Sequence, residues 1–164
     1  MVYKWAYIFQ AFLRDGDGDF MPALRRFPEI VVMAQSMRSP ADDTVSAIIG
    51  KWSAAFNKLD AGALSSLYSK NAFFFGSKSQ LYRGHDGVAA YFNALPRWSS
   101  PTVQFSDVRT AEVNSDLINF AGRASFVVED GAAPLSVKIT WVIAREDGSW
   151  KIVSHHVSSP TPLL

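Results

Sequence analysis

His156, the second of two adjacent histidines near the C-terminus, is the residue of this chain best suited to proton transfer or ligand contact. An imidazole titrates near pH 6.5 and can act as acid, base or hydrogen-bond partner. Neighbouring residues of a strand point to opposite faces, so the pair cannot share one metal ion without distortion. A histidine base needs an orienting carboxylate. Asp107 has the parity of Val103 and Phe105, which turns it toward a core and makes it the best candidate. Arg123 is the cation that could orient a ligand carboxylate. It shares parity with Asn119, Ala121 and Ser125, whereas Ile118, Phe120, Ala124, Phe126 and Val128 form the apolar set, so alternation alone points it outward. The run Asp15-Gly16-Asp17-Gly18-Asp19 spaces carboxylates like a calcium loop. Counted from Asp15, however, the sixth position is Phe20 and the twelfth Arg26, where such a loop needs Gly and Glu. It reads as a solvated turn. No glycine-rich phosphate loop, nucleophile triad or metal-ligand spacing is present, and neither metal nor cofactor is expected.

Composition narrows the classes further. Sixteen basic against fifteen acidic residues lack the basic excess of a protein that grips phosphate backbones, so nucleic acid is not an expected partner. The absence of cysteine removes disulfides, thiolate metal sites and cysteine nucleophiles, and fits a cytoplasmic protein. No run of eighteen apolar residues exists to span a membrane. Twelve Phe, five Tyr and five Trp supply a sizeable core, and the same residue types line ligand pockets.

The first 36 residues read as an extension. The apolar stretch from Trp5 to Leu13 resembles a signal peptide but runs into Asp15 without a small-x-small cleavage site. Met37 is an alternative start, and residues 37–164 suffice for a domain. Within it Ser39 can cap a helix with Pro40 in its first turn, and Val45, Ile48, Ile49, Trp52, Phe56 and Leu59 form its apolar stripe. Asp60 can cap a short second helix. Phe73–Phe75 and Leu81–Arg83 are extended pieces, and Val88, Tyr91, Phe92 and Leu95 mark a third helix ended by Pro96. Four long strands follow at about 102–113, 116–129, 134–145 and 149–158, with turns at Asn114-Ser115-Asp116, Asp130-Gly131 and Asp147-Gly148. Long strands twist and curve. The expected class is α+β: a cone-shaped half-barrel of a curved antiparallel sheet packed on three helices.

Parity assigns faces. Val137, Ile139, Trp141 and Ile143 turn inward. A two-residue turn at Asp147-Gly148 pairs Ile143 with Ile152, Trp141 with Ser154 and Ile139 with His156. His156 then faces the core and His155 the outside, and a one-residue slip would exchange them. The outer face would carry Lys138, Thr140, Val142, Ala144, Lys151, Val153, His155 and Val157, a semi-apolar mix suited to a symmetric homodimer.

The order of elements, with Trp52-Ser53-Ala54-Ala55-Phe56, Leu67-Tyr68, Tyr82-Arg83-Gly84, Tyr91-Phe92 and the run from Asp147 to Pro160, resembles the nuclear transport factor 2-like superfamily over residues 40–162. Within it the chain is similar to SnoaL-like proteins and to the association domain of calcium/calmodulin-dependent protein kinase II. The resemblance implies a cavity between helices and sheet, and pairing through the sheet's outer face. It matches Arg123 to an arginine that reaches the kinase cavity, against the parity reading, and His156 to the last-strand histidine. A second cavity arginine falls at Trp141, and a third at Val157. The ketosteroid-isomerase group of the superfamily has a carboxylate base near Phe75 or Gly76; this sequence has none there. The expected cavity residues are Trp52, Phe56, Tyr68, Phe73, Phe75, Tyr91, Arg123, Trp141 and His156, with His156 and Asp107 the candidate catalytic pair. The function expected is a homodimer binding a small hydrophobic molecule that bears a carbonyl or carboxylate. The alternatives are an isomerase, lyase or dehydratase using His156, and an association module. Fold alone does not choose among them.

Overall fold

The computed structural model describes residues 38–129 and 133–161. The readings of residues 1–36, including the acidic run, lie outside the described residues. The chain forms helix α1 (Pro40–Asn57), helix α2 (Ala61–Ser66), strands β1 (Tyr68–Phe75) and β2 (Tyr82–Arg83), helix α3 (Gly84–Asn93), and strands β3 (Thr102–Asn114), β4 (Leu117–Val127), β5 (Leu135–Glu146) and β6 (Ser149–Ser158). This is the expected α+β arrangement. The six strands make one sheet in the order β2-β1-β6-β5-β4-β3. It is mixed rather than wholly antiparallel as expected, because β1 runs parallel to β6, whereas every other neighbouring pair is antiparallel.

Local chemistry explains the helices. Ser39 accepts from the Asp42 amide while the Asp42 carboxylate accepts from the Ser39 amide, a reciprocal capping box with proline in the first turn. Asp60 caps α2 by accepting from the amide of Ala63. The inward stripe of α1 buries Val45, Ile48, Trp52 and Phe56. Trp52 stacks on Phe56 with ring centroids 5.4 Å apart, and it meets Phe92 and Phe105 edge-on. Aromatic pairs in these geometries contribute about 0.5–1.5 kcal/mol beyond their buried area.

The turn at Asp147-Gly148 has both residues at positive φ, 50° and 77°, as a two-residue hairpin of this hand requires. Ile143 faces Ile152 as the turn predicts, but the next pairs are Val142 with Ser154, Trp141 with His155 and Ile139 with Val157. Val153 is therefore an extra residue in β6, and beyond it every side chain changes face. His155 and Val157 turn inward, and His156 takes the outer position beside Thr140. A second bulge interrupts β3. Ser106 pairs with Arg123 and Arg109 with Ala121, so Asp107 and Val108 together oppose Gly122. Asp107 sits at φ 52°, and its side chain leaves the inward face that Val103 and Phe105 share. Gly122 leaves room for this bulge: a Cβ there would lie 3.1 Å from the carbonyl oxygen of Ser106.

Candidate functional site

A cavity of about 140 Å³ lies between the helices and the inner face of the sheet. α1 contributes Trp52 and Phe56, β1 Phe74, α3 Tyr91 and Phe92, β4 Phe126, β5 Ile139 and β6 His155. Ser77 and Leu135 also line it and are exposed, which puts them at the mouth. Tyr91 closes against the backbone there. Its hydroxyl accepts from the amide of Ser77 (3.1 Å) and shares a hydrogen bond with the Ser77 hydroxyl (2.9 Å). A Cβ at position 76 would stand 2.5 Å from Cζ of Tyr91, so any residue but glycine there must displace that ring.

The buried polar side chain at the cavity wall is His155, 3% exposed. Three donors hold it through a short chain. The Trp52 indole N–H donates to the Tyr68 hydroxyl oxygen (3.0 Å), and the Tyr68 O–H donates to His155 Nδ1 (2.7 Å). The Trp141 indole N–H donates to the same Nδ1 at 3.0 Å. An indole nitrogen can only donate, so Nδ1 must be an acceptor and the ring's proton must sit on Nε2. Burial, aided by the neighbouring His156, pushes the His155 pKa down from 6.5 to about 3, so the ring is neutral at pH 7. Burial also pushes the Tyr68 phenol up, which keeps its proton available for Nδ1.

Several expected site residues lie elsewhere. Trp52, Phe56 and Tyr91 line the cavity. Tyr68 and Trp141 are buried one layer behind, as supports of His155. Phe73 and Phe75 are 46% and 41% exposed on the outer face, because Phe74 takes the inward position of β1. His156 is exposed and lies near the Phe75 ring, centroids 6.1 Å apart. Arg123 and Asp107 pair with each other at 3.1 Å on the solvent side, their side chains 52% and 70% exposed. The arrangement thus dissolves the expected His156–Asp107 pair and removes the arginine from the cavity. Strand parity was right for Arg123. Among the described residues no cluster of three or more His, Cys, Asp or Glu could hold a metal ion.

Among the cavity residues missed by sequence reasoning are His155, Phe74, Trp98 and Phe126. A signal for His155 existed. Ile152 and Val157 are five apart in one strand, and two apolar residues at odd spacing can share a face only across a bulge. For β1, Asn71 has the parity of Phe73 and Phe75, while Ala72 has that of Phe74.

Residues 45–162 match the family model of the SnoaL-like domain. The chain belongs to the SnoaL-like domain family. Solved structures similar to this SnoaL-like domain include a provisionally assigned calcium/calmodulin-dependent protein kinase II association domain from Xanthomonas campestris. It is 20% identical with a TM-score of 0.68, over 77% of this chain and 91% of that one. An NTF-2 like protein of unknown function from Shewanella oneidensis MR-1 is 17% identical with a TM-score of 0.62, over 71% and 98% of the two chains. A hexachlorocyclohexane dehydrochlorinase, LinA-type3, from Novosphingobium barchaimii LL02 is 17% identical with a TM-score of 0.60, over 81% and 91%. At these identities the likeness shows the fold alone. No curated protein matches the sequence. No described helix is long and apolar enough to cross a membrane.

Proposed function

We propose that this SnoaL-like domain binds a small hydrophobic molecule in the cavity between its helices and sheet. The observation that carries the reading is an open, aromatic cavity of about 140 Å³ with a buried, oriented histidine at its wall. A dry cavity of roughly 150 Å³ is enough for a benzene-sized molecule. Binding is favoured over acid–base turnover through His156, because that ring lies on the outer face, away from the cavity. The test is native mass spectrometry of protein purified from its own host, beside a Val137→Trp variant that fills the cavity. A reproducible added mass on the wild type, absent from the variant, is expected; a bare protein mass in both refutes the reading.

The same reading includes a homodimer formed through the outer sheet face. Phe73 and Phe75 support it, since they expose two aromatic rings on that face. Phe75→Glu should convert the dimer mass seen in light scattering to that of a monomer. A wild type that is already monomeric, or a variant that stays dimeric, rejects this face. A cytoplasmic setting belongs to the reading too, supported by a sequence free of cysteine.

A further inference from the structure

His155 has two ring nitrogens, and the protein uses one. Nδ1 takes both the Tyr68 hydroxyl and the Trp141 indole. Nε2 carries the proton and has no hydrogen-bond partner among the described residues. Every fully enclosed side-chain nitrogen or oxygen among them does have a partner. Nε2 is therefore not fully enclosed, and the space that His155 borders is the cavity. A buried N–H without a partner is costly, and an acceptor brought by a ligand would relieve that cost.

The rest of the lining fixes the ligand's charge. Its other side chains with polar atoms are Trp52, Tyr91, Ser77 and Trp98. The Trp52 N–H is committed to Tyr68, Tyr91 and Ser77 satisfy each other at the mouth, and the half-buried Trp98 can add only another neutral N–H donor. Among the described residues no lysine, arginine, aspartate or glutamate lines the cavity. A carboxylate inside would lose water and gain no cation, which is far more costly than burying a neutral oxygen. An ammonium group would meet the positive end of the Nε2–H bond. Protonating His155 to suit an anion would place a proton on a nitrogen that already faces two donors.

We infer that the cavity selects an uncharged, ring-sized molecule carrying one acceptor oxygen, such as a cyclic or aryl ketone, with that oxygen on Nε2–H of His155. This rests on the cavity-binding reading and adds the chemical class of the ligand. His155 is assigned as a donor that positions the ligand.

The experiment uses the full chain labelled with ¹⁵N-histidine and four probes of one shape: acetophenone, ethylbenzene, benzoate and benzylammonium. Histidine NMR at pH 7 should show His155 as the neutral Nε2–H tautomer. Acetophenone should move that N–H resonance. Ethylbenzene should bind, seen in tryptophan emission, and leave it in place. Benzoate and benzylammonium should each bind at least about 30-fold more weakly than acetophenone. His155→Leu should cut the affinity for acetophenone relative to ethylbenzene by roughly three- to tenfold. An Nδ1–H or charged ring, parity of either ion with acetophenone, or an unmoved N–H resonance overturns the inference and leaves the cavity reading standing. Failure of all four probes to bind overturns both.

Discussion

Acidifying the protein from pH 7 to 4.5 should cost it stability through His155 alone, and the size of the loss follows from the burial of that ring. In the unfolded chain the imidazole has its ordinary pKa of 6.5; in the folded chain burial holds it at about 3. Between those values the unfolded state binds the proton and the native state does not, so stability falls as pH falls. Integrated from pH 7 to 4.5, the loss is about 2.5 kcal/mol, close to two factors of ten in the folding equilibrium. At pH 4.5 the figure barely depends on how far below 4 the native value lies. Two carboxylates complicate the lower end. Hydrogen bonds from Ser69 to Glu146 and from Thr110 to Asp42 hold both below their usual range, and that stabilisation is lost as pH falls through their folded values. A His155→Gln variant keeps an acceptor for Trp141 and Tyr68 but has nothing to titrate there. Urea unfolding of both proteins at several pH values gives the two stability curves, and their difference isolates His155. A difference that stays flat within about 0.5 kcal/mol from pH 7 to 4.5 would mean that the ring charges freely in the native state, and the buried neutral donor would be wrong.

Three further outcomes bear on the same geometry. Tyr68→Phe leaves the Trp52 indole N–H with no acceptor and should lower stability by about 1–3 kcal/mol in urea unfolding; no measurable change would mean that the chain of donors is not formed. Gly76→Ala must push Tyr91 off the mouth, because the added carbon would stand 2.5 Å from its ring; a loss of about 1–3 kcal/mol and weaker acetophenone binding are expected, read by denaturation and by tryptophan emission. Arg123→Ala and His156→Ala, both on the solvent side, should leave acetophenone affinity unchanged and stability within about 0.5 kcal/mol; a large loss of affinity in either would return that residue to the cavity.

The fold was legible because its signals are local and mutually consistent. Ser39 with Pro40 and Asp42 marks a helix start whatever follows, and the apolar stripe through Trp52 and Phe56 fixes which side is buried. Asp147-Gly148 fixes the last hairpin through two residues that tolerate positive φ. The site was less legible because it depends on counting across long strands. Alternation propagates any local error to the strand's end, so one extra residue at Val153 was enough to exchange His155 with His156. Phe73-Phe74-Phe75 offers no contrast in side-chain type, and Phe73 and Phe75 were placed inward where the structure buries Phe74; only the parity of Ala72 and Asn71 distinguishes them. The parallel pairing of β1 with β6 is a long-range choice that no short motif encodes.

The two bulges act together on the cavity's electrostatics. Unbroken alternation would have set His156 and Asp107 on the inner face, a histidine and a carboxylate in one cavity. The extra residue in β6 sends His156 outside, and the left-handed turn of the chain at Asp107 sends its carboxylate to Arg123 instead. The arginine and the carboxylate satisfy each other in water, where such a pair contributes little to stability but needs no burial of charge. The inner face receives His155 in exchange. Its Nδ1 is saturated by two donors, so it enters the cavity as a dipole rather than as a base. A base would need a lone pair facing the ligand, and the lone pair here faces Tyr68 and Trp141. Restoring a base would require freeing Nδ1 and turning the ring, and both donors would then be left buried without an acceptor. The same contacts that hold the imidazole in place thus decide which chemistry it can offer, and they favour recognition of an acceptor over removal of a proton.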